Sequence, residues 1–141
     1  AGNLLAIKGI GMVTAATIIS EIGDIGRFKD PRQIIKLAGL ALRENSSGKH
    51  KGKTTISKRG RRRLREALFR VMIAMLANNR EFRSLHQRNL NRTENPMNKM
   101  QSIVALCGKL VRVLYALLTK GVEYDSHKLI ADMGRSMMVA A

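Results

Sequence analysis

The sequence has few aromatic residues, few acids and almost nothing with which to form cross-links. Tryptophan is absent, aromatic residues make up 4% of the chain, and there is a single cysteine. A disulfide framework is therefore excluded, which fits a cytoplasmic protein. A core with so few aromatic residues relies on Leu, Ile, Val, Ala and the 8 Met, and such side chains suit packed helices better than a β-sandwich. We therefore predict a mostly α fold.

The shortage of acids leaves a large positive charge. Lys and Arg number 26 and Asp and Glu number 10, so the net charge is +16 over 141 residues. Such self-repulsion is seldom maintained without an anionic partner, and nucleic acid is the first candidate. An anionic membrane is the alternative, but no apolar run approaches the roughly 20 residues that a spanning helix needs. The start of the chain has no signal-peptide pattern, and we expect no membrane association.

Residues that bind metals are scattered along the sequence. The three histidines, His50, His86 and His127, lie far apart and form no ligand-spaced pair with Cys107. Glu21 and Asp24 lie one helical turn apart, so they have the spacing to share an ion, although a solvated helix end is the favoured interpretation. We expect no metal site in this chain, and we expect Cys107 to be a buried thiol in an apolar helix.

The first 28 residues have the pattern of a helix-hairpin-helix. A short helix around Leu4 to Ile7 is followed by Gly9-Ile10-Gly11 and a second helix that Gly23 ends. Glycines let the backbone approach a phosphate, and the N–H groups that begin the second helix attract it. We expect sequence-independent DNA contacts at Gly9, Gly11 and Thr14. The alternative is an ordinary αα-hairpin, whereas a dinucleotide site is excluded because Thr14 replaces the third glycine.

The remaining pattern predicts a short helix, a basic loop and two or three longer packed helices. Asp30 and Pro31 begin the short helix, with Gln33 placed for a capping box. The last helix has Asn95 as its predicted N-cap and Pro96 as its first residue, and it ends at Gly121. We divide the domain into 1–28, the helix-hairpin-helix; 29–57, the short helix and basic Ser/Gly loop; 58–121, the helical core; and 122–141, a tail.

The densest positive charge lies between Lys49 and Arg65, where nine basic residues occur without an acid. This segment begins as an exposed loop or loose hairpin and continues into a helix that starts at Ser57 or in the turn after it. Arginines at a helix N-terminus oppose the macrodipole, so we interpret them as ligands for a polyanion. The residues expected to contact DNA here are Lys49, Lys51, Lys53, Ser57, Lys58, Arg59, Arg61, Arg62 and Arg65.

The loop Ser46-Ser47-Gly48 has two interpretations. A serine hydroxyl beside several lysines has the chemistry to attack a phosphodiester, because the cations stabilise the charge that develops on the phosphorus oxygens. A solvated Ser/Gly linker is the other interpretation, and the residues by themselves favour it.

Five blocks in a fixed order resemble a known family, and the likeness extends from about Leu4 to Gly121. They are residues 10–16, 21–28, 37–40, 46–48 and 56–60, and together they resemble the C-terminal domain of transposases of the insertion-sequence one-ten family. The resemblance implies a serine that joins covalently to DNA during recombination, guided by a structured RNA. The matching position is Ser47, with Ser46 as the fallback.

The resemblance also implies a partner domain of RuvC type, whose four acids bind Mg²⁺ in the full-length protein, and homo-oligomers for strand exchange. The chain begins at Ala1 without an initiator Met, so we expect an excised fragment that binds nucleic acid but does not transpose alone and needs no cofactor. Two other functions stay open: a non-catalytic helix-hairpin-helix module for DNA or RNA, and a helical protein that binds an acidic partner.

Overall fold

The computed structural model, described for residues 7–43, 46–47, 50–51 and 55–120, confirms the prediction of a mostly α fold. The helices in this part of the chain are α1 (Met12–Ile22), α2 (Pro31–Leu37), α3 (Arg62–Asn78), α4 (Arg80–Asn91) and α5 (Lys99–Lys120), with a single 3₁₀ turn at Ile25–Arg27. Four two-residue strands lie between α2 and α3: β1 (Leu42–Arg43), β2 (Ser46–Ser47), β3 (His50–Lys51) and β4 (Thr55–Ile56).

The predicted glycine turn precedes α1. The Ile10 N–H donates to the Ile7 carbonyl over 3.2 Å, and α1 starts directly after Gly11. Gly23 ends the helix with a positive φ of 74°, as the sequence predicts. The short helix expected before the turn falls mostly on residues 1–6, outside the described residues.

Helix α2 begins as its sequence predicts. The Asp30 carboxylate accepts a hydrogen bond from the Arg32 N–H at 2.8 Å, and Pro31 occupies the first turn. The Gln33 side chain also reaches back, but it accepts from the Lys29 N–H at 2.8 Å, one residue earlier than a capping box requires. Local hydrogen bonds therefore fix the start of this seven-residue helix. The buried side chain of Ile34 holds the helix against the core.

The segment 57–61 lies along the end of α2, and α3 therefore starts at Arg62, in the turn after Ser57. Three backbone hydrogen bonds fix this segment: Ser57 to Ala41 at 2.8 Å, Lys58 to Gly39 at 3.0 Å and Arg61 to Leu37 at 2.6 Å. Gly60 has a φ of 151°, and a Cβ there would overlap the Leu37 carbonyl oxygen. Ser57 Oγ accepts from the Arg59 N–H at 3.3 Å, which stabilises this turn rather than the helix.

Asn79 separates α3 from α4, where the sequence suggests only a weaker continuation of the helical pattern. Its backbone N–H closes α3 on Met75, and its side chain accepts a hydrogen bond from the Phe82 N–H, which begins α4. The Asn79 amide also donates to the Lys8 carbonyl at 3.0 Å. Because the residue is only 1% exposed, its three bonds satisfy groups that water cannot reach.

The predicted start of α5 at Asn95 and Pro96 is wrong. Asn95 adopts a left-handed conformation with a φ of 49°, and the helix begins at Lys99. Asn98 and Gln101 form the reciprocal capping bonds: the Gln101 N–H donates to Asn98 at 2.9 Å and the Asn98 N–H to Gln101 at 3.0 Å. The sequence pattern favours Asn-Pro as the start of a helix, but in the structure the N-cap is Asn98, three residues after Asn95.

Met100 is 61% exposed, although the sequence pattern places it on the apolar face of α5. The buried side of this first turn carries Ser102 instead, which is fully buried. Its hydroxyl lies 2.8 Å from His86 Nδ1 and accepts from the Asn89 amide at 3.2 Å. A polar contact with α4 therefore sets the rotation of the start of α5.

Helix α5 crosses the core and contacts α2, α3 and α4. Residues Lys99–Thr119, with a mean hydropathy of 1.7, have the length and composition of a membrane-spanning helix, so the expectation that no segment approaches that length is wrong. One face of α5 is buried against the other helices through Leu106, Cys107, Leu110, Val111, Leu114 and Leu117. We therefore interpret α5 as the core helix of the domain.

Cys107 is a buried thiol, as predicted, and burial raises its pKa to about 12. Its sulfur lies 3.7 Å from the Leu68 carbonyl oxygen, to which the thiol donates. Because only the thiolate is nucleophilic, this cysteine is a packing residue rather than a reactive one.

We predict that Asn79→Ala lowers the free energy of unfolding by about 2 kcal/mol, because it removes a helix cap and leaves the Lys8 carbonyl without its buried donor. Asn78→Ala is the matched control: Asn78 is exposed and bonds only its own helix, at the Ala74 carbonyl, so its loss should cost less than about 0.5 kcal/mol. Urea denaturation followed by far-ultraviolet circular dichroism measures both. Equal effects of the two substitutions would contradict the role of Asn79.

Candidate nucleic-acid interface

The basic loop forms a two-part hairpin, as one sequence interpretation predicts. Strand β1 pairs antiparallel with β4, with Leu42 opposite Ile56 and Arg43 opposite Thr55. Strand β2 pairs antiparallel with β3, with Ser46 opposite Lys51 and Ser47 opposite His50. Ser47 therefore lies in the second of the two strand pairs, which is enclosed by the first along the sequence. Lys49 and Lys53 lie outside the described residues.

The base of this hairpin is continuous with the start of α3. Strand β4 leads directly into segment 57–61, which is bonded to the end of α2 at Leu37, Gly39 and Ala41. The β1–β4 pair and the arginines that follow it are thereby held at the same end of the domain. We call this surface the basic end; it comprises strands β1 to β4 and residues 57–65.

Part of the positive charge at the basic end is neutralised within the fold. Arg61 donates to the Glu21 carbonyl at 2.9 Å and lies 3.7 Å from the Glu21 carboxylate. Arg62 pairs with Glu66 one turn along at 2.8 Å. Arg65 is half-buried and lies 3.4 Å from the Ala38 carbonyl, at the end of α2. Arg61 and Arg65 thus hold α3 against α1 and α2, whereas Arg62 is paired within α3. As DNA contacts, all three remain predictions.

Three exposed cations at the basic end do not bond to carboxylates or carbonyls of the described residues. Lys58, Arg59 and Arg63 are exposed and have no ion pair or side-chain hydrogen bond with any of the described residues. Arg63 is absent from the set of DNA contacts expected from the sequence. The sequence contains a signal for this difference: Arg62 has an acid, Glu66, four residues later, whereas Arg63 does not.

The glycine turn before α1 shows two different uses of glycine. Gly9 has a φ of 107°, and a Cβ there would lie 2.9 Å from the Met75 side chain, so packing against α3 requires a glycine. Gly11 has an ordinary φ of −84°, and a Cβ there would meet nothing within 4 Å. The fold therefore does not require Gly11, and the first N–H groups of α1 are open to a ligand. Thr14 is half-buried in the next turn.

The glycine turn and the basic end lie at opposite ends of α3. Asn79, after the last residue of α3, bonds to Lys8 beside the turn, whereas Arg61, before the first residue, bonds to Glu21 at the far end of α1. Helix α3 has 17 residues, which at 1.5 Å per residue separates its ends by about 25 Å. The structure therefore does not bring the two predicted DNA-contacting segments into one patch.

An open groove of about 740 Å³ runs between α1 and α3. Met12 and Val13 are 72% and 81% exposed along one side, and Arg63 and Arg70 line the groove together with Glu21 and Glu66. Two carboxylates inside the groove disfavour a polyanion there. The unpaired cations Lys58 and Arg59, which do not line the groove, are the better candidates for nucleic-acid contact.

No group of three or more His, Cys, Asp or Glu side chains lies together in the described part of the chain. The pair with ion-sharing spacing has other partners: Glu21 lies beside Arg61, and Asp24 accepts from the Gly26 N–H at 3.0 Å. The donors present here therefore do not fit Mg²⁺, and we assign it no ligands in these residues. His127 and the side chain of His50 lie outside the described residues.

Comparison with known proteins identifies similar chains. The family model described as transposase IS116/IS110/IS902 matches residues 1–87. A probable family 20 transposase of Pseudomonas aeruginosa is 35% identical, over 86% of this chain and 36% of its own length. The transposase for insertion sequence element IS1111A of Coxiella burnetii is 34% identical, over 84% of this chain and 33% of its own.

A third relative has a different name. The pilin gene-inverting protein of Moraxella bovis is 30% identical, over 89% of this chain and 38% of its own length. The chain thus spans about a third of the length of the curated relatives that it matches.

The two glycines should differ in their effect on stability. We predict that Gly9→Ala lowers the free energy of unfolding by about 2 kcal/mol, because the side chain meets Met75 and the backbone is strained. Gly11→Ala should cost only a few tenths of a kcal/mol, the usual difference at a helix N-cap. Chemical denaturation of both variants checks this, and a Gly11→Ala loss as large as that of Gly9→Ala would contradict the open site at the start of α1.

Proposed function

The chain belongs to the IS116/IS110/IS902 family of transposases, and on that premise we propose that it is the DNA-binding, serine-bearing part of a transposase that acts by strand exchange. One observation carries the proposal. Ser46 and Ser47 lie in the part of the chain enclosed by the paired strands β1 and β4, and β4 leads directly into the unpaired cations Lys58 and Arg59. A DNA strand bound to those cations would lie at the base of the segment that carries the serines.

The chemistry assigned to Ser47 is a phosphoryl transfer. Its hydroxyl oxygen loses a proton and attacks a DNA phosphorus, and the displaced deoxyribose oxygen leaves and takes up a proton. The phosphate ester formed with the serine retains the energy of the broken bond, so a second deoxyribose hydroxyl can attack it and release the serine. Cations close to the phosphate stabilise the additional negative charge in each transition state. Ser46, one position earlier in the same strand, is the fallback.

Three further parts of the proposal concern the full-length protein. A RuvC-like domain outside these residues would hold Mg²⁺ on its four acids, a structured RNA would guide the reaction, and two or more copies would supply the active sites for exchange. A relative named for gene inversion supports a reaction that both cuts and rejoins strands. Action on a bacterial chromosome would place the protein in the cytoplasm, without membrane association.

A non-catalytic binding module is the second candidate function. It is favoured by the open start of α1, where Gly11 leaves backbone N–H groups accessible to a phosphate. This function needs no serine. Substitution of Ser47 therefore distinguishes the two functions, because it should abolish strand exchange only if the first is correct.

Binding of duplex DNA by the 141-residue chain should depend steeply on salt. If about six phosphates are neutralised, a log–log plot of affinity against salt concentration should have a slope of about −5. The double variant Lys58→Gln/Arg59→Gln should bind more weakly and reduce the magnitude of that slope by about 2, since two phosphate contacts are lost. Fluorescence anisotropy with a labelled 20-base-pair duplex measures both quantities. A flat salt dependence would overturn electrostatic binding.

In the full-length protein, Ser47→Ala should abolish strand exchange while DNA affinity changes less than about twofold, because a single hydroxyl adds little to phosphate binding. Ser46→Ala is the matched control in the same strand and should retain exchange. Recombination between two plasmid-borne sites, scored by sequencing the junctions, provides the readout. If Ser47→Ala exchanges strands like the wild type and Ser46→Ala does not, the nucleophile is Ser46. If both variants exchange strands like the wild type, the serine proposal is overturned and the non-catalytic binding module is the remaining candidate function.

A further inference from the structure

Helix α4 presents a polar face to solvent that no function above uses. Its opposite side is fixed in the core, since Phe82 and Leu85 are buried and His86 and Asn89 contact Ser102 of α5. The rotation of the helix is thereby set. The side chains that this rotation leaves exposed, the α4 outer face, are Arg80, Arg83, Ser84, Gln87, Arg88 and Asn91.

The α4 outer face is positively charged and contains no acid. Arg80, Arg83 and Arg88 have no ion pair with any described residue. Arg80 is the first residue of the helix, where a cation opposes the macrodipole, and the acid of that turn, Glu81, forms no ion pair with it. Pairing within the described residues therefore does not account for these arginines, whereas an anionic partner does.

The arrangement of side chains on this face has an order. At 3.6 residues per turn, Arg80, Ser84, Gln87 and Asn91 lie along one line, within about 60° of each other. Arg83 and Arg88 lie on either side of that line. Two amides, a serine and an arginine thus occupy the centre of the face, with a cation at each flank.

We propose that the α4 outer face binds the major groove of duplex DNA, with Arg83 and Arg88 on phosphates and Gln87 and Asn91 towards base edges. A helix with its side chains is about 10–12 Å wide and fits a groove of about 12 Å. Gln and Asn can make paired hydrogen bonds to adenine. Duplex RNA fits less well, because the major groove of A-form RNA is too narrow for side chains to read.

The glycine turn lies next to the N-terminal end of α4. Asn79, the residue before Arg80, donates to the Lys8 carbonyl, and Lys8 is exposed one residue before Gly9. A duplex that extends past Arg80 would therefore approach the start of α1. This inference deepens the proposed function and rests on it, since it assumes that the chain binds DNA.

The first test compares three charge-matched double variants of the 141-residue chain, each lacking two cations. Arg83→Gln/Arg88→Gln should bind a 20-base-pair duplex at least tenfold more weakly in 100 mM salt and reduce the salt slope by about 2. The control Lys29→Gln/Lys36→Gln removes two exposed charges at α2 that have no ion pair among the described residues, and it should change affinity less than about twofold. Gln preserves helix propensity, and circular dichroism verifies that each variant is folded.

The outcomes separate the two proposals. If the α4 variant binds like the α2 control while Lys58→Gln/Arg59→Gln binds weakly, the α4 proposal is overturned and the basic end stands. If all three variants bind like the unmodified chain, both the α4 proposal and the proposed DNA binding at the basic end are overturned. A loss on an A-form RNA duplex as large as on DNA would overturn the assignment to the DNA major groove.

The second test concerns base contacts. Selection from a duplex library with a randomised centre should give the unmodified chain a base preference over a few positions. Gln87→Ala/Asn91→Ala should weaken that preference while retaining affinity for the unselected library within about threefold, because no phosphate contact is removed. An unchanged preference in this variant, or no preference in the unmodified chain, would overturn the base contacts.

Discussion

The buried side chains of α3, which include Leu64, Leu68, Met72 and Met75, lie against α1, α4 and α5, and the charged surfaces take their positions from this packing. The N-terminal end of α3 carries the arginines and is joined to the hairpin. Its C-terminal end receives the glycine turn through Gly9 and Asn79. Because α3 is about 25 Å long, it also determines how far apart the two surfaces lie.

A charge of +16 on 141 residues opposes compact folding, and the structure uses only some of its cations to offset that repulsion. Arg61, Arg62 and Arg65 bond to carboxylates or to carbonyls at helix ends. Lys58 and Arg59 do not, within the described residues. Pairing therefore distinguishes cations that hold the domain together from cations that are free to bind a polyanion, a distinction that the net charge does not contain.

The arrangement of those unpaired cations suggests a division of labour. The basic end combines the serine hairpin with Lys58 and Arg59, which suits the chemistry of strand joining. The α4 outer face combines flanking arginines with Gln87 and Asn91, which suits recognition. Under the proposed function, a chain that holds DNA while a serine reacts with it would use two surfaces, and α3 connects them.

The sequence by itself determined the helical class, the turn at Gly9, the cap at Asp30 and the family, because these depend on local periodicity, local backbone preferences and ordered motifs. It left the basic segment open between a loop and a hairpin. It placed the start of α5 at Asn95 and left the break at Asn79 unseen. Only the tertiary structure decided those points, because Asn79 bonds to a carbonyl 71 residues away and Ser102 sets the rotation of α5. It also decided which cations are paired, since pairing depends on which helix ends meet.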